Sequence, residues 1–204
     1  MIPVVKYTFN TVPVGTAAAN AVPIADWATY GQGGAASESI VAGTETNRMR
    51  VQNEASLWVT CFGLAQTYTE CDFTAFINAA NVWISPRGLV DSAVVPTGFS
   101  SQIIPSAGVV TLQKNCFGAG FAVASTTIAP FSNEFKARVT IVGLLMTVYV
   151  NDVFMLSYDF TGSGASLCGF DGPSSGYPCV TTFNTTITFD SGDKTPNYVL
   201  MTEV

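Results

Sequence analysis

The clearest pattern in the chain runs from Phe135 to Phe160, where Lys136, Arg138, Thr140 and Val142 alternate with Ala137, Val139, Ile141 and Gly143. A period of two is the signature of a strand with one buried face. The run Leu145 to Val150 continues it and meets Asn151-Asp152, two residues that tolerate positive φ. They predict a two-residue hairpin turn, with Val153 to Tyr158 returning as the partner strand. The segment is therefore expected to be a strand, a bend, a strand and a hairpin. A second alternating run, Thr67 to Ile77, puts Thr69, Cys71, Phe73, Ala75 and Ile77 on a core face. Tyr68, Glu70, Asp72, Thr74 and Phe76 fall on a face directed mostly to water. Shorter candidates are Val4 to Phe9, Arg48 to Gln52, Leu57 to Phe62, Asn81 to Ser85, Gly108 to Gln113, Gly120 to Ala124, Val180 to Phe189 and Tyr198 to Val204. Nothing in the chain repeats every 3.6 residues or at a longer fixed interval. Many short β-rich runs without helical periodicity predict an all-β sandwich or barrel, formed as a single domain over residues 1–204.

Two segments lack this patterning. Residues 10–37 carry scattered Gly, Ala and Pro and are expected to be an extended arm or a long loop, and Ser157 to Pro178 is expected to be a loop. The N-terminus has no basic start before an apolar block, and the most apolar run, Val139 to Val150, is interrupted by Thr140, Gly143 and Thr147. Neither a signal peptide nor a membrane span is expected.

Composition narrows the chemistry. Charged residues are 11% of the chain, the net charge is -6, and no basic cluster exists to neutralise phosphates, so no nucleic-acid partner is expected. The chain has no histidine, which excludes Ser-His-Asp and Cys-His catalysis and any imidazole metal site. No cofactor signature is present and no metal site is expected. The calcium-type pair Asp190 and Asp193 lacks the rest of a loop of ligands. Five cysteines, none in a C-x-x-C pair, leave two readings open: buried thiols in a reducing compartment, or a staple between Cys168 and Cys179 across a Gly/Ser/Pro-rich loop outside cells.

The order of these elements resembles the concanavalin A-like lectin/glucanase and laminin G-like jelly rolls. The resemblance rests on the hairpin block ending Val148-Tyr149-Val150-Asn151-Asp152, with Asp152 where that superfamily usually has glycine. It extends to Asn47 to Val51, Tyr68 to Ala75, Trp83 to Arg87 and the closing strand Phe183 to Phe189, while Tyr198 to Val204 could pair beside the N-terminal strand. It covers roughly residues 40 to 204 by pattern rather than identity, and implies an antiparallel two-sheet β-sandwich. In the glucanase branch a strand carries acids as E-x-D-x-x-E. Here the run is Glu70-Cys71-Asp72-Phe73-Thr74-Ala75, and Ala75 replaces the third acid, so the resemblance does not imply an enzyme. Glu70 and Asp72 are expected to be a solvated strand face.

Carbohydrate recognition needs aromatic platforms near amides or carboxylates. Trp27, Tyr30 and Tyr177, in predicted loops, are the candidates, together with Asn197, whereas Trp58 and Trp83, flanked by apolar residues, are expected in the core. With few charges and many Thr, Ser, Asn, Gly and Ala residues, the chain looks built for contact. The style is similar to virion proteins of tailed bacteriophages. First place therefore goes to a structural virion protein of capsid-decoration, fibre or adhesion type. It would self-associate and contact major capsid or tail subunits on the particle surface, having been made in a host cytoplasm. The alternative is a stand-alone lectin-like protein that binds surface glycans.

Overall fold

The computed structural model of the chain describes residues 4–7, 13–15, 28–31, 36–42, 47–53, 57–61, 70–78, 81–90, 96–116, 119–161, 177–183, 187–190 and 199–202. Among them are sixteen strands, and all the pairings are antiparallel: β1 (Val4–Tyr7), β2 (Ala28–Gly31), β3 (Ala36–Ala42), β4 (Asn47–Asn53), β5 (Leu57–Cys61), β6 (Cys71–Ile77), β7 (Val82–Val90) and β8 (Pro96–Ile104), then β9 (Val109–Cys116), β10 (Ala119–Thr127), β11 (Phe135–Val142), β12 (Leu145–Val150), β13 (Val153–Asp159), β14 (Tyr177–Phe183), β15 (Ile187–Asp190) and β16 (Val199–Thr202). A nine-stranded sheet runs β13-β12-β11-β6-β15-β4-β3, with β16 also on β6 and β1 on β16; a seven-stranded sheet runs β10-β9-β8-β7-β14-β5-β2. Together they make a two-sheet jelly-roll sandwich.

The alternation read from the sequence builds the core. Cys71, Phe73, Ala75 and Ile77 of β6, and Phe135, Ala137, Val139 and Ile141 of β11, are buried; they meet Val82, Ile84, Ile103, Val110, Leu112 and Val180 of the other sheet in one hydrophobic cluster. Each large side chain fully withdrawn from water contributes roughly 1.5–3 kcal/mol. Phe99 stacks on Phe160 with ring centroids 4.0 Å apart, so a seven-sheet residue seals against the chain leaving β13. Arg87 is a second tie across the sandwich: its buried guanidinium donates from Nη1 to the carbonyl of Gly143 at 3.0 Å. Burial lowers its pKa, and the nearby Glu70 carboxylate opposes that shift.

The expected bend after Val142 is a tight turn at Gly143-Leu144, with Gly143 at φ 59, so β11, β12 and β13 form a three-stranded meander. The hairpin at its far end has Asn151 at φ 51 and Asp152 at φ 63, both left-handed as a primed turn requires. Asn151 Oδ1 accepts from the Lys136 amide at 2.9 Å, and Lys136 Nζ lies 2.7 Å from Asp152 Oδ1.

Other expectations are corrected. Residues 28–31 and 36–37, inside the segment expected to be an arm or loop, are in β2 and β3, and β13 and β14 extend into both ends of the expected loop Ser157 to Pro178. The run Val180 to Phe189 is two strands in different sheets, β14 and β15. β8 was not expected at all. The terminal strands do pair, Val4 opposite Thr202 and Tyr7 opposite Val199.

Candidate functional site

The two sheets turn different chemistry outward. On the meander of the nine-stranded sheet, Arg138 holds Asp72 through a two-pronged ion pair, Nε to Oδ1 at 3.0 Å and Nη2 to Oδ2 at 2.6 Å. Its guanidinium also lies 5.2 Å from the centre of the Tyr149 ring, which meets Phe154 edge to face. The hydrogen bond to Asp72 raises the Arg138 pKa further above its ordinary range. Asp72 is therefore not the solvated carboxylate expected from sequence. It is bound to a cation, while Glu70 acts on Arg87. Asp72 is thus committed to Arg138, and the charge of Glu70 favours the protonated form of Arg87.

The outer face of the seven-stranded sheet is dipolar. Because Val82, Ile84, Ile103, Val110 and Leu112 point inward, the intervening Trp83, Gln102, Thr111 and Gln113 point outward. Register places Tyr30, Val59, Thr181, Trp83, Gln102, Thr111 and Ser125 in one cross-strand row spanning all seven strands. Beside it lie Ser100 opposite Gln113, and Cys179 opposite Ser85. The floor is shielded, with Ser100 at 0% and Gln113 at 9% exposure, whereas Asn81, Trp83 and Gln102 are half-buried. Three amides form a directional chain across β9, β8 and the start of β7. Gln113 Nε2 donates to Gln102 Oε1 at 2.7 Å, and Gln102 Nε2 donates to Asn81 Oδ1 at 3.4 Å. Each amide carries two donors and a carbonyl acceptor, so a ladder of them presents both functions along one line.

The open end of this face is set by the 3-10 turn Pro105–Ala107 between β8 and β9. Gly108 closes the turn at φ 62, and its carbonyl accepts from the Ile128 amide at 2.8 Å. A Cβ at Gly108 would collide with the Ile128 carbonyl oxygen, so the position requires glycine twice over. A cleft of about 430 Å³ lined by Ser106, Pro130, Phe131 and Ser132 opens beside the turn.

Of the residues singled out from sequence, Tyr30 and Tyr177 are on strands of the seven-stranded sheet, β2 and β14, not in loops. Trp27, Asn197, Cys168 and Asp193 lie outside the described residues. Trp83, expected in the core, is half-buried on the outer face, and Gln102, Gln113 and Asn81 were not singled out at all. The signal was present in the period of two. Trp83 sits between two inward residues, Val82 and Ile84, and Gln102 and Gln113 keep the same phase in their own strands.

No protein-family model matches the chain, and no curated protein sequence matches it. Solved structures do resemble it. A protein of unknown function with galectin-like fold from Bacillus subtilis superposes with a TM-score of 0.58 at 7% identity, over 98% of each chain. The VIP36 exoplasmic/lumenal domain in its Ca2+/Man-bound form gives 0.57 at 6% identity, over 100% of this chain and 92% of the other. The carbohydrate-binding module CBM66 from Bacillus subtilis gives 0.55 at 13% identity, over 82% of this chain and 93% of that one. At these identities what is shared is the fold: an antiparallel two-sheet sandwich of the lectin-like jelly-roll type.

Proposed function

We propose that this chain is a non-catalytic carbohydrate-binding module whose ligand face is the outer surface of the seven-stranded sheet. The observation that carries the reading is the amide ladder Gln113, Gln102 and Asn81 beside the half-buried Trp83. A sugar presents adjacent hydroxyls, each a donor and an acceptor, around an apolar C–H face. An amide line next to an indole offers the complement, and a shielded floor strengthens each hydrogen bond made there. No charged side chain occurs among the described outward residues of the row, which suits a neutral ligand over an acidic one. The sugar-binding names among the similar folds support the same class. The virion role given first place from sequence rests on low charge and style alone and takes second place.

The test is a broad glycan array on the intact chain, followed by titration calorimetry on the best ligand. Trp83→Ala and Gln102→Ala are each expected to weaken binding by at least about tenfold, with the fold retained by circular dichroism. An array with no bound glycan, or variants that bind as well as the parent, would sink the proposal.

A further inference from the structure

We propose that Cys61 and Cys179 are a cross-strand disulfide site joining β5 to β14. Five consecutive residue pairs fix the register of these two strands, and the first of them sets Cys179 directly opposite Cys61. Directly opposed residues of antiparallel strands have Cα atoms about 4.5 or 5.5 Å apart, within the roughly 4.4–6.8 Å that a disulfide spans. The other described cysteines have different register partners. Cys71 is in the nine-stranded sheet opposite Ile141, and Cys116 ends β9 opposite Ala119. Spacing in the sequence favoured Cys168 as the partner of Cys179; the register favours Cys61, a residue separated from it by the whole of β6 to β13.

The chemistry is thiol–disulfide exchange with a small-molecule disulfide such as oxidised glutathione. One cysteine, having lost its proton, attacks the oxidant and releases one glutathione thiolate. The second cysteine, also deprotonated, attacks the mixed disulfide and releases the other. One protein S–S bond forms as one glutathione S–S bond is reduced to two thiols. Cys179 is fully shielded in the folded sandwich, so the exchange takes place before β14 docks between β5 and β7. The site is independent of the carbohydrate reading, although it lies two residues along β14 from Thr181, in the row of Trp83 and Gln102.

The test uses the full chain, refolded in a glutathione redox buffer, alkylated, and digested without reduction. Mass spectrometry is expected to find one cross-linked pair of peptides carrying Cys61 and Cys179, lighter than the two thiol peptides by two hydrogen atoms. Cys61→Ser and Cys179→Ser should each abolish it and Cys168→Ser should leave it. The oxidised chain is expected to melt at least about 5 °C above the reduced one, because so long a loop is closed. Recovery of Cys179 linked to Cys168 or to another chain overturns the proposal, as does full alkylation of Cys61 and Cys179 after oxidative refolding. Peptide mapping of the unsubstituted chain decides the matter even where a serine variant fails to fold.

Discussion

The outer faces of the two sheets cover the same core from opposite sides and solve the problem of a wet surface differently. On the nine-stranded meander, charge is matched to charge in the plane of the sheet: Arg138 with Asp72, Lys136 with Asp152, and Tyr149 beneath the guanidinium. On the seven-stranded sheet, neutral dipoles are matched to dipoles, with Gln113, Gln102 and Asn81 in series and Ser85, Ser100 and Thr111 around them. A half-exposed ion pair is already satisfied and is screened by salt, so it has little to offer a visiting ligand. A shielded row of amides keeps spare donors and acceptors where water competes poorly. The difference teaches that in a chain with 11% charged residues, where the few charges are absent can mark a site as clearly as where they cluster.

The comparison can be broken hardest at the turn that holds the open end of the amide face. Gly108→Ala meets both a left-handed backbone and the Ile128 carbonyl, and is expected to cost about 3 kcal/mol in urea unfolding. A smaller effect follows from importing the other face's chemistry. Gln102→Glu removes the donor to Asn81 and sets a carboxylate in an uncharged, partly shielded row, at an expected cost of roughly 2 kcal/mol at pH 7. Desolvation raises the folded-state pKa of the introduced acid above its unfolded value. The penalty is therefore nearly absent at about pH 4, grows as pH rises from the unfolded to the folded pKa and levels off above it, which paired urea melts at about pH 4 and pH 7 will read. The smallest effect is expected on the charged face. Asp72→Ala should cost about 1 kcal/mol, since Arg138 stays 43% exposed and water recovers part of the loss. The difference from the parent should shrink in 1 M salt, and glycan binding should not change.

How much of this was legible in the sequence depended on how strictly each strand kept its alternation. The meander was plain because every second residue from Phe135 to Ile141 is apolar and buried, and because Asn151-Asp152 suits the left-handed turn. β8 was invisible because it opens with Pro96 and Gly98, and because its inward positions are Phe99, Ser101 and Ile103: a serine stands where the pattern needs an apolar residue. Ser101 Oγ is shielded there and has no hydrogen-bond partner among the described residues, opposite Ile84 and Leu112. β7 hides its length behind Pro86, Arg87 and Gly88, where the register with β8 is irregular. The site was missed for a related reason. Apolar neighbours in sequence made Trp83 look like core, although neighbours in a strand lie on opposite faces. The amides of Gln102 and Gln113 become a ladder only when β8 and β9 are paired, which no single strand discloses.

One feature of the sandwich rim reaches beyond either face. The edge strands β10 and β13 lie at one side of the two sheets, and each is interrupted by a bulge, between Ala122 and Ala124 in one and beside Tyr149 and Phe154 in the other. A bulge throws the free amides and carbonyls of an edge out of step with any straight strand offered from outside. Despite its low charge and its exposed Phe121, Val153 and Phe154, the molecule is thus guarded against growing into fibrils through these two borders. Close approach of two copies along these borders would therefore not join them strand to strand.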